Sequence, residues 1–152
     1  MHVVNDRAIV LKTKRPHLVT EQIKNHKILQ ETDGVYKLAI RWDLHEAQVL
    51  ASLKVKDIRS PIDRDYGWTG KYTPFDHQKE TSNFLTLHKK AFCFNEQGTG
   101  KTASVIWAAD YLINMGQVSR ILVICPLSIM DSAWREDLFT FAMHRTVDIA
   151  YG

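Results

Sequence analysis

Apolar and polar positions follow two different rhythms along the chain, and each predicts its own kind of element. From Val35 to Trp42 they alternate. VYKLAIRW places Tyr36, Leu38, Ile40 and Trp42 on one side and Val35, Lys37, Ala39 and Arg41 on the other, the period of a half-buried strand. A strand-like stretch from Arg7 to Lys12 precedes it, and Pro16 opens a predicted helix that closes near His26. Asp43 begins another predicted helix, running to about Leu53 with Glu46 as its capping-box partner. Residues 1–57 therefore predict a small strand, helix, strand, helix module.

Further on, unbroken apolar runs replace the alternation. Thr73, Pro74 and Asp76 carry the signals of a helix start, and the helix should extend to Leu87 or His88. Ala91 to Phe94 and Arg120 to Cys125 read as continuous apolar strands, VDIAY at 147–151 as a third. Helices are predicted from Lys101 to Asn114, closed by Gly116, and from Ser132 to Phe141. Unbroken apolar strands alternating with helices predict an α/β fold with a parallel sheet covered on both faces. Residues 58–73 are rich in turn formers and read as a linker to a domain covering 74–152. The linker aromatics Tyr66, Trp68 and Tyr72 should pack on that domain, because large aromatics are costly to leave in water.

Composition narrows the partners only a little. The 152 residues are 45% apolar and carry a net charge of +3, as an ordinary globular domain does. The charge is uneven, since residues 1–60 hold 11 Lys/Arg against 7 Asp/Glu and residues 61–152 hold 9 against 10. A basic first module suggests accessory contact with nucleic-acid phosphates, and its scattered charges equally describe a solvated face. Cys93 and Cys125 lie inside apolar runs and read as reduced, buried residues. There is no leader-like start and no apolar run near the ~20 residues that span a bilayer, so an intracellular, cytoplasmic protein without a membrane partner is expected.

The chemistry concentrates in NEQGTGKT, residues 95–102, which follows a short apolar run and opens a helix. It fits the phosphate-loop pattern except at Asn95, where glycine is usual. Gly98 and Gly100 free the backbone to turn successive amides toward phosphate oxygens. Lys101 would reach the β- and γ-phosphates, and the Thr102 hydroxyl would bind Mg²⁺. An ATP–Mg²⁺ site is expected, with Asn95, Glu96, Gln97, Gly98, Thr99, Gly100, Lys101 and Thr102 as its loop and Lys101 as the catalytic cation.

With asparagine in the first position, NEQGTGKT resembles motif I of Swi/Snf-type ATPases of helicase superfamily 2, commonly written DEMGLGKT. Glu96, Gly98, Gly100, Lys101 and Thr102 match; Asn95, Gln97 and Thr99 depart. PFDHQKE, residues 74–80, resembles that family's Q motif, in which a glutamine reads adenine. Gln78 takes that place, 23 residues before Lys101, with Phe75 and His77 as flanking contacts. ICPLSIMDSAWREDL, residues 124–138, resembles motif Ia, which implies DNA-backbone contact through Pro126, Leu127 and Ser128. The linker stretch with YGWTGKYTPF is similar in style to phage-encoded members, which would place the protein in a host cytoplasm.

The resemblance covers residues 71–152 and implies the first part of a RecA-like ATP-binding domain in a DNA helicase or translocase. Its partners would be DNA and a second RecA-like domain. Hydrolysis in that family also needs a DExH box and an arginine finger. After Lys101 the acids are Asp110, Asp131, Glu136, Asp137 and Asp148, and none stands in such a box. The chain alone is therefore expected to bind ATP without hydrolysing it. The competing expectation is a non-enzymatic regulator, derived from such a helicase, that binds nucleic acid or protein.

Overall fold

The computed structural model describes residues 1–150. The chain divides into two compact units, Met1–Arg64 and the remainder from Asp65 onward.

The first unit is built on a four-stranded antiparallel sheet. In chain order its elements are β1 (His2–Val4), β2 (Ala8–Thr13), α1 (His17–Thr20), β3 (His26–Thr32), β4 (Val35–Arg41), α2 (Leu44–Ser52) and α3 (Ile62–Asp65). The strand order is β1-β2-β4-β3. The alternation expected along 35–42 is realised in β4, where Leu38 and Ile40 are fully buried and pair across the ladder with Leu11 and Ile9 of β2. Trp42 extends the same face and donates its indole N–H to the Arg59 carbonyl at 2.9 Å. Arg64 lies over the Trp42 ring, 5.2 Å from its centroid, and donates to the carbonyls of Asp6 and Trp42 at 2.6 and 3.1 Å.

Two local expectations in this unit require correction. The helix predicted from Pro16 to His26 is one turn long, and His26 begins a strand instead. That strand forms because Asp33 and Gly34, both at positive φ (50° and 72°), close a two-residue hairpin that pairs Thr32 with Val35. Asp43 does precede α2, but no side-chain cap bond forms there; its carboxylate is drawn 2.6 Å from Arg41 instead.

The second unit is helical: α4 (Asp76–Leu87), α5 (Lys101–Asn114), a 3₁₀ turn (Leu127–Ile129), a π-helical stretch (Met130–Arg135) and α6 (Glu136–Phe141). The expected RecA-like parallel sheet is not there. Among the described residues this unit holds no strand, so the α/β reading with helices on both faces is overturned. Residues 91–94, 120–125 and 147–150 lie outside any ladder; Tyr151, the end of the third expected strand, lies outside the described residues. The reason is physical: an apolar run records a preference for burial but supplies no neighbouring strand to bond with. Here even the burial is missing, with Phe92 82%, Phe94 88%, Leu122 84% and Ile124 89% exposed. The helix predicted from Ser132 to Phe141 is likewise split, its first turns widened to π geometry.

What holds this unit together is the apolar stripe of α5. Ala103, Ile106, Trp107 and Tyr111 recur at helical spacing and are buried. The linker aromatics pack within this unit as expected, Tyr72 least closely, its ring 6.3 Å from that of Phe141 and 55% exposed. Tyr66 meets Tyr111 edge-on at 6.0 Å, and Trp68 meets Trp107 at 5.7 Å. Trp107 also packs on Phe141 of α6 and donates to the Thr69 carbonyl at 2.8 Å. Cys93 and Cys125 are free thiols, half-buried rather than buried.

Candidate nucleotide-binding site

The site begins with the packing of α4 on α5. Ser82 donates to the Ser104 carbonyl at 2.9 Å, both residues being buried, and this joins the helix of PFDHQKE to the helix that opens with Lys101. Two segments separated in sequence are thereby brought side by side. Gln78 reaches from α4 to the loop.

Both ends of the Gln78 amide are committed. Its Oε1 accepts the Phe75 backbone N–H at 3.0 Å, and its Nε2 donates to the Thr99 carbonyl at 3.2 Å. Since a backbone N–H only donates and a carbonyl only accepts, these partners allow one orientation of the amide. One N–H and one lone pair are left over, the pair of functions that a bidentate adenine contact uses. His77 adds a second bond to the same Thr99 carbonyl, 3.0 Å from Nε2, so Nε2 carries the proton in this arrangement.

This double clamp has a consequence for the loop. With the Thr99 C=O drawn toward Gln78 and His77 of α4, the planar trans peptide turns the Gly100 N–H to the opposite side. Gly100 is the residue that permits this approach. Its φ is +74°, and a Cβ there would stand 2.1 Å from Gln78 Nε2. Gly98 also takes positive φ, +78°. Lys101 Nζ folds across the loop and donates to the carbonyls of Asn95 and Glu96 at 2.9 and 2.7 Å. A phosphate oxygen is a stronger acceptor than either carbonyl, because a charged pair makes the shorter, stronger bond. The first amides of α5 add the positive end of a fourteen-residue helix.

Asn95, which stands where glycine is usual, has a structural task that sequence reasoning did not find. Its Nδ2 donates to Thr81 Oγ1 at 2.8 Å, and that hydroxyl donates to the His77 carbonyl at 2.8 Å. The side chain thus ties the start of the loop to α4. No local signal in the sequence points to Thr81, since the bond joins positions fourteen residues apart.

The other expected site residues are placed as follows. Phe75 is 68% exposed and its ring stacks on His77 at 5.7 Å with a 10° interplanar angle. Glu96 and Gln97 are exposed on the loop, Thr99 braces it through Oγ1 to the Glu96 carbonyl at 2.8 Å, and Thr102 is half-buried in the first turn of α5. Lys101 and the Thr102 hydroxyl are the residues that would hold a nucleotide–Mg²⁺ group, with phosphate and water supplying the metal's other ligands. Among the described residues, no cluster of three His, Cys, Asp or Glu could hold a metal by itself. Pro126, Leu127 and Ser128 lie in and just before the exposed 3₁₀ turn. They are available at the surface, and no contact joins them to Gln78 or Lys101.

Asp110 is the other feature that sequence reading passed over. Its side chain is 2% exposed and accepts from Tyr66 Oη (2.6 Å), Arg145 Nε (2.6 Å) and His144 Nε2 (2.9 Å). Burial alone would push this carboxyl up, but the bonds from Tyr66, Arg145 and His144 outweigh it and hold the acid below its ordinary value. Burial, then the bond to Asp110, drives the Tyr66 phenol well above its ordinary value. The carboxylate is fully occupied in holding α5 to the segment after α6.

Comparison with family models, with curated proteins and with solved structures returned no match. No helix among the described residues is long and apolar enough to cross a membrane.

Proposed function

We propose that the second unit binds ATP–Mg²⁺ and serves as the nucleotide-binding portion of an ATP-dependent DNA helicase or translocase. The observation that carries this reading is the Thr99 carbonyl held by both Gln78 and His77. It couples a side chain suited to adenine to a loop suited to phosphate, and it fixes the Gly100 amide on the side away from α4. In this reading Phe75 and His77 flank the base, Gly98 and Gly100 shape the phosphate cradle, Lys101 neutralises the β- and γ-phosphates, and Thr102 meets Mg²⁺. The exposed turn with Pro126, Leu127 and Ser128 offers its backbone amides and hydroxyl to DNA phosphates.

A second reading has one observation in its favour. Asp110, a buried acid on the loop helix, is committed to Tyr66, His144 and Arg145 and is thereby withdrawn from water activation. A chain that binds nucleotide without turning it over, and regulates a nucleic acid or protein partner, fits that fact. Measured ATP hydrolysis by the 152-residue chain would count against it.

Lys101→Ala tests the binding step. Loss of its charge-assisted bonds should weaken ATP–Mg²⁺ by about tenfold or more at unchanged thermal stability. An affinity within about twofold of the parent, measured calorimetrically, would refute the role given to Lys101.

A further inference from the structure

A cavity of about 310 Å³ lies where the linker segment meets α4, lined by Trp68, Lys71, Tyr72, Lys79, Thr73 and Pro74 together with two glycines. Besides Thr73 and Pro74, its side chains are two aromatics and two cations. Lys71 Nζ stands 5.4 Å from the centroid of the Tyr72 ring, and Lys79 Nζ stands 6.0 Å from that of Trp68. No carboxylate is among the residues that line the cavity, so it carries two positive charges and no lining counter-charge.

The backbone around it is held under strain. Trp68 has φ +46°, a conformation that a bulky residue rarely adopts. Gly70, at φ +110°, is pressed so closely on α6 that a Cβ would stand 2.7 Å from Phe141 Cα and from the Thr140 carbonyl oxygen. The strain is retained because the surroundings fix the segment on both sides. Thr69 Oγ1 donates to the Phe141 carbonyl at 2.7 Å, Lys71 N donates to the Thr140 carbonyl at 3.2 Å, and Trp68 is wedged edge-on between Tyr66 and Trp107. Stored strain of this kind gathers at ligand clamps. Its effect here is to hold an aromatic wall in place and leave Tyr72, 55% exposed, at the rim.

The geometry points to a binding site for single-stranded nucleic acid: an unstacked base enters the cavity against Trp68 and Tyr72, and the phosphates flanking it pair with Lys71 and Lys79. Two cations, each set over a different ring, match a strand with a phosphate on either side of the base. A free nucleoside triphosphate carries its charge at one end and has its own cradle in the loop from Asn95 to Thr102. Base stacking on aromatics is tolerant of sequence, so the site would grip a strand without reading it.

The test is fluorescence anisotropy of a labelled short oligothymidylate with the full chain, across a salt titration. Tyr72→Ala should weaken binding about tenfold, the loss of one stacked base. Lys71→Ala with Lys79→Ala should lower the slope of log affinity on log salt by roughly 0.7 for each lysine removed. Lys101→Ala should leave oligothymidylate affinity unchanged, which separates this site from the nucleotide reading above. Three results would each overturn the proposal: no oligothymidylate binding by the parent, binding by Tyr72→Ala within about twofold of the parent, or loss of ATP binding in Tyr72→Ala together with displacement of the oligonucleotide by ATP.

Discussion

Replacing Asp110 with alanine should destabilise the second unit by about 3 kcal/mol or more, the cost of breaking a buried charged network from one side. The carboxylate accepts three bonds at 2.6 to 2.9 Å, and its removal leaves the buried Tyr66 hydroxyl with Thr69 alone and the half-buried Arg145 guanidinium with Asn114 alone. Asp110→Asn keeps the shape and some of the bonding, so it should fall between parent and alanine. Urea unfolding followed by tryptophan fluorescence reports on it, since Trp107 lies one turn away on α5. A shift below about 1 kcal/mol would show that the network is dispensable.

The same residue sets a pH dependence. The folded carboxyl titrates below its unfolded value, so the native state binds fewer protons than the unfolded chain over the interval between the two. Its contribution is complete above the ordinary carboxylate range and is lost as pH falls through the folded value. The acid limb of stability should therefore flatten in Asp110→Asn.

Gly100→Ala should damage fold and site together. The left-handed backbone alone costs about 1 to 2 kcal/mol with a side chain present. The added Cβ must also displace Gln78 Nε2, which stands 2.1 Å from its position. Moving Gln78 releases the Thr99 carbonyl, and the Gly100 N–H loses its fixed orientation. Nucleotide affinity should fall at least about tenfold, beyond what the stability loss explains. Nucleotide binding at saturating protein, with the folded fraction checked by circular dichroism, separates the two effects. Normal affinity in a folded Gly100→Ala would dismiss the close approach as incidental.

These two residues also mark where the sequence was legible. The glycine turn announced itself, because Gly98 and Gly100 take positive φ, which few other residues adopt. Helix α5 fell close to its expected bounds through the glycine turn before it and its apolar stripe; α4 also fell close to its expected bounds, although its N-cap is Phe75 rather than Thr73 and its buried face is mostly polar, with Gln78, Thr81, Ser82, Asn83 and Thr86 inside. Strand β4 was legible through its alternation. Strand β3 was hidden because six of its seven residues, from Lys27 to Thr32, are exposed, so no pattern of burial marks it; the Asp33-Gly34 pair was the signal to read. The parallel sheet was inferred from apolar runs at 91–94 and 120–125, and pairing is a non-local property that such runs do not encode. Asp110 escaped for a related reason. Its partners Tyr66 and Arg145 are 44 and 35 positions away, and only the folded helix brings them to one carboxylate.

In the proposed function Gln78 and the loop from Asn95 to Thr102 form one adenine-nucleotide site. Equilibrium titration of the parent and of Gln78→Ala with ATP–Mg²⁺ and GTP–Mg²⁺ tests it most directly. The parent should prefer ATP by about tenfold, and Gln78→Ala should lose this preference while binding both nucleotides more weakly. Equal affinity of the parent for the two nucleotides, or no binding of either, would contradict it.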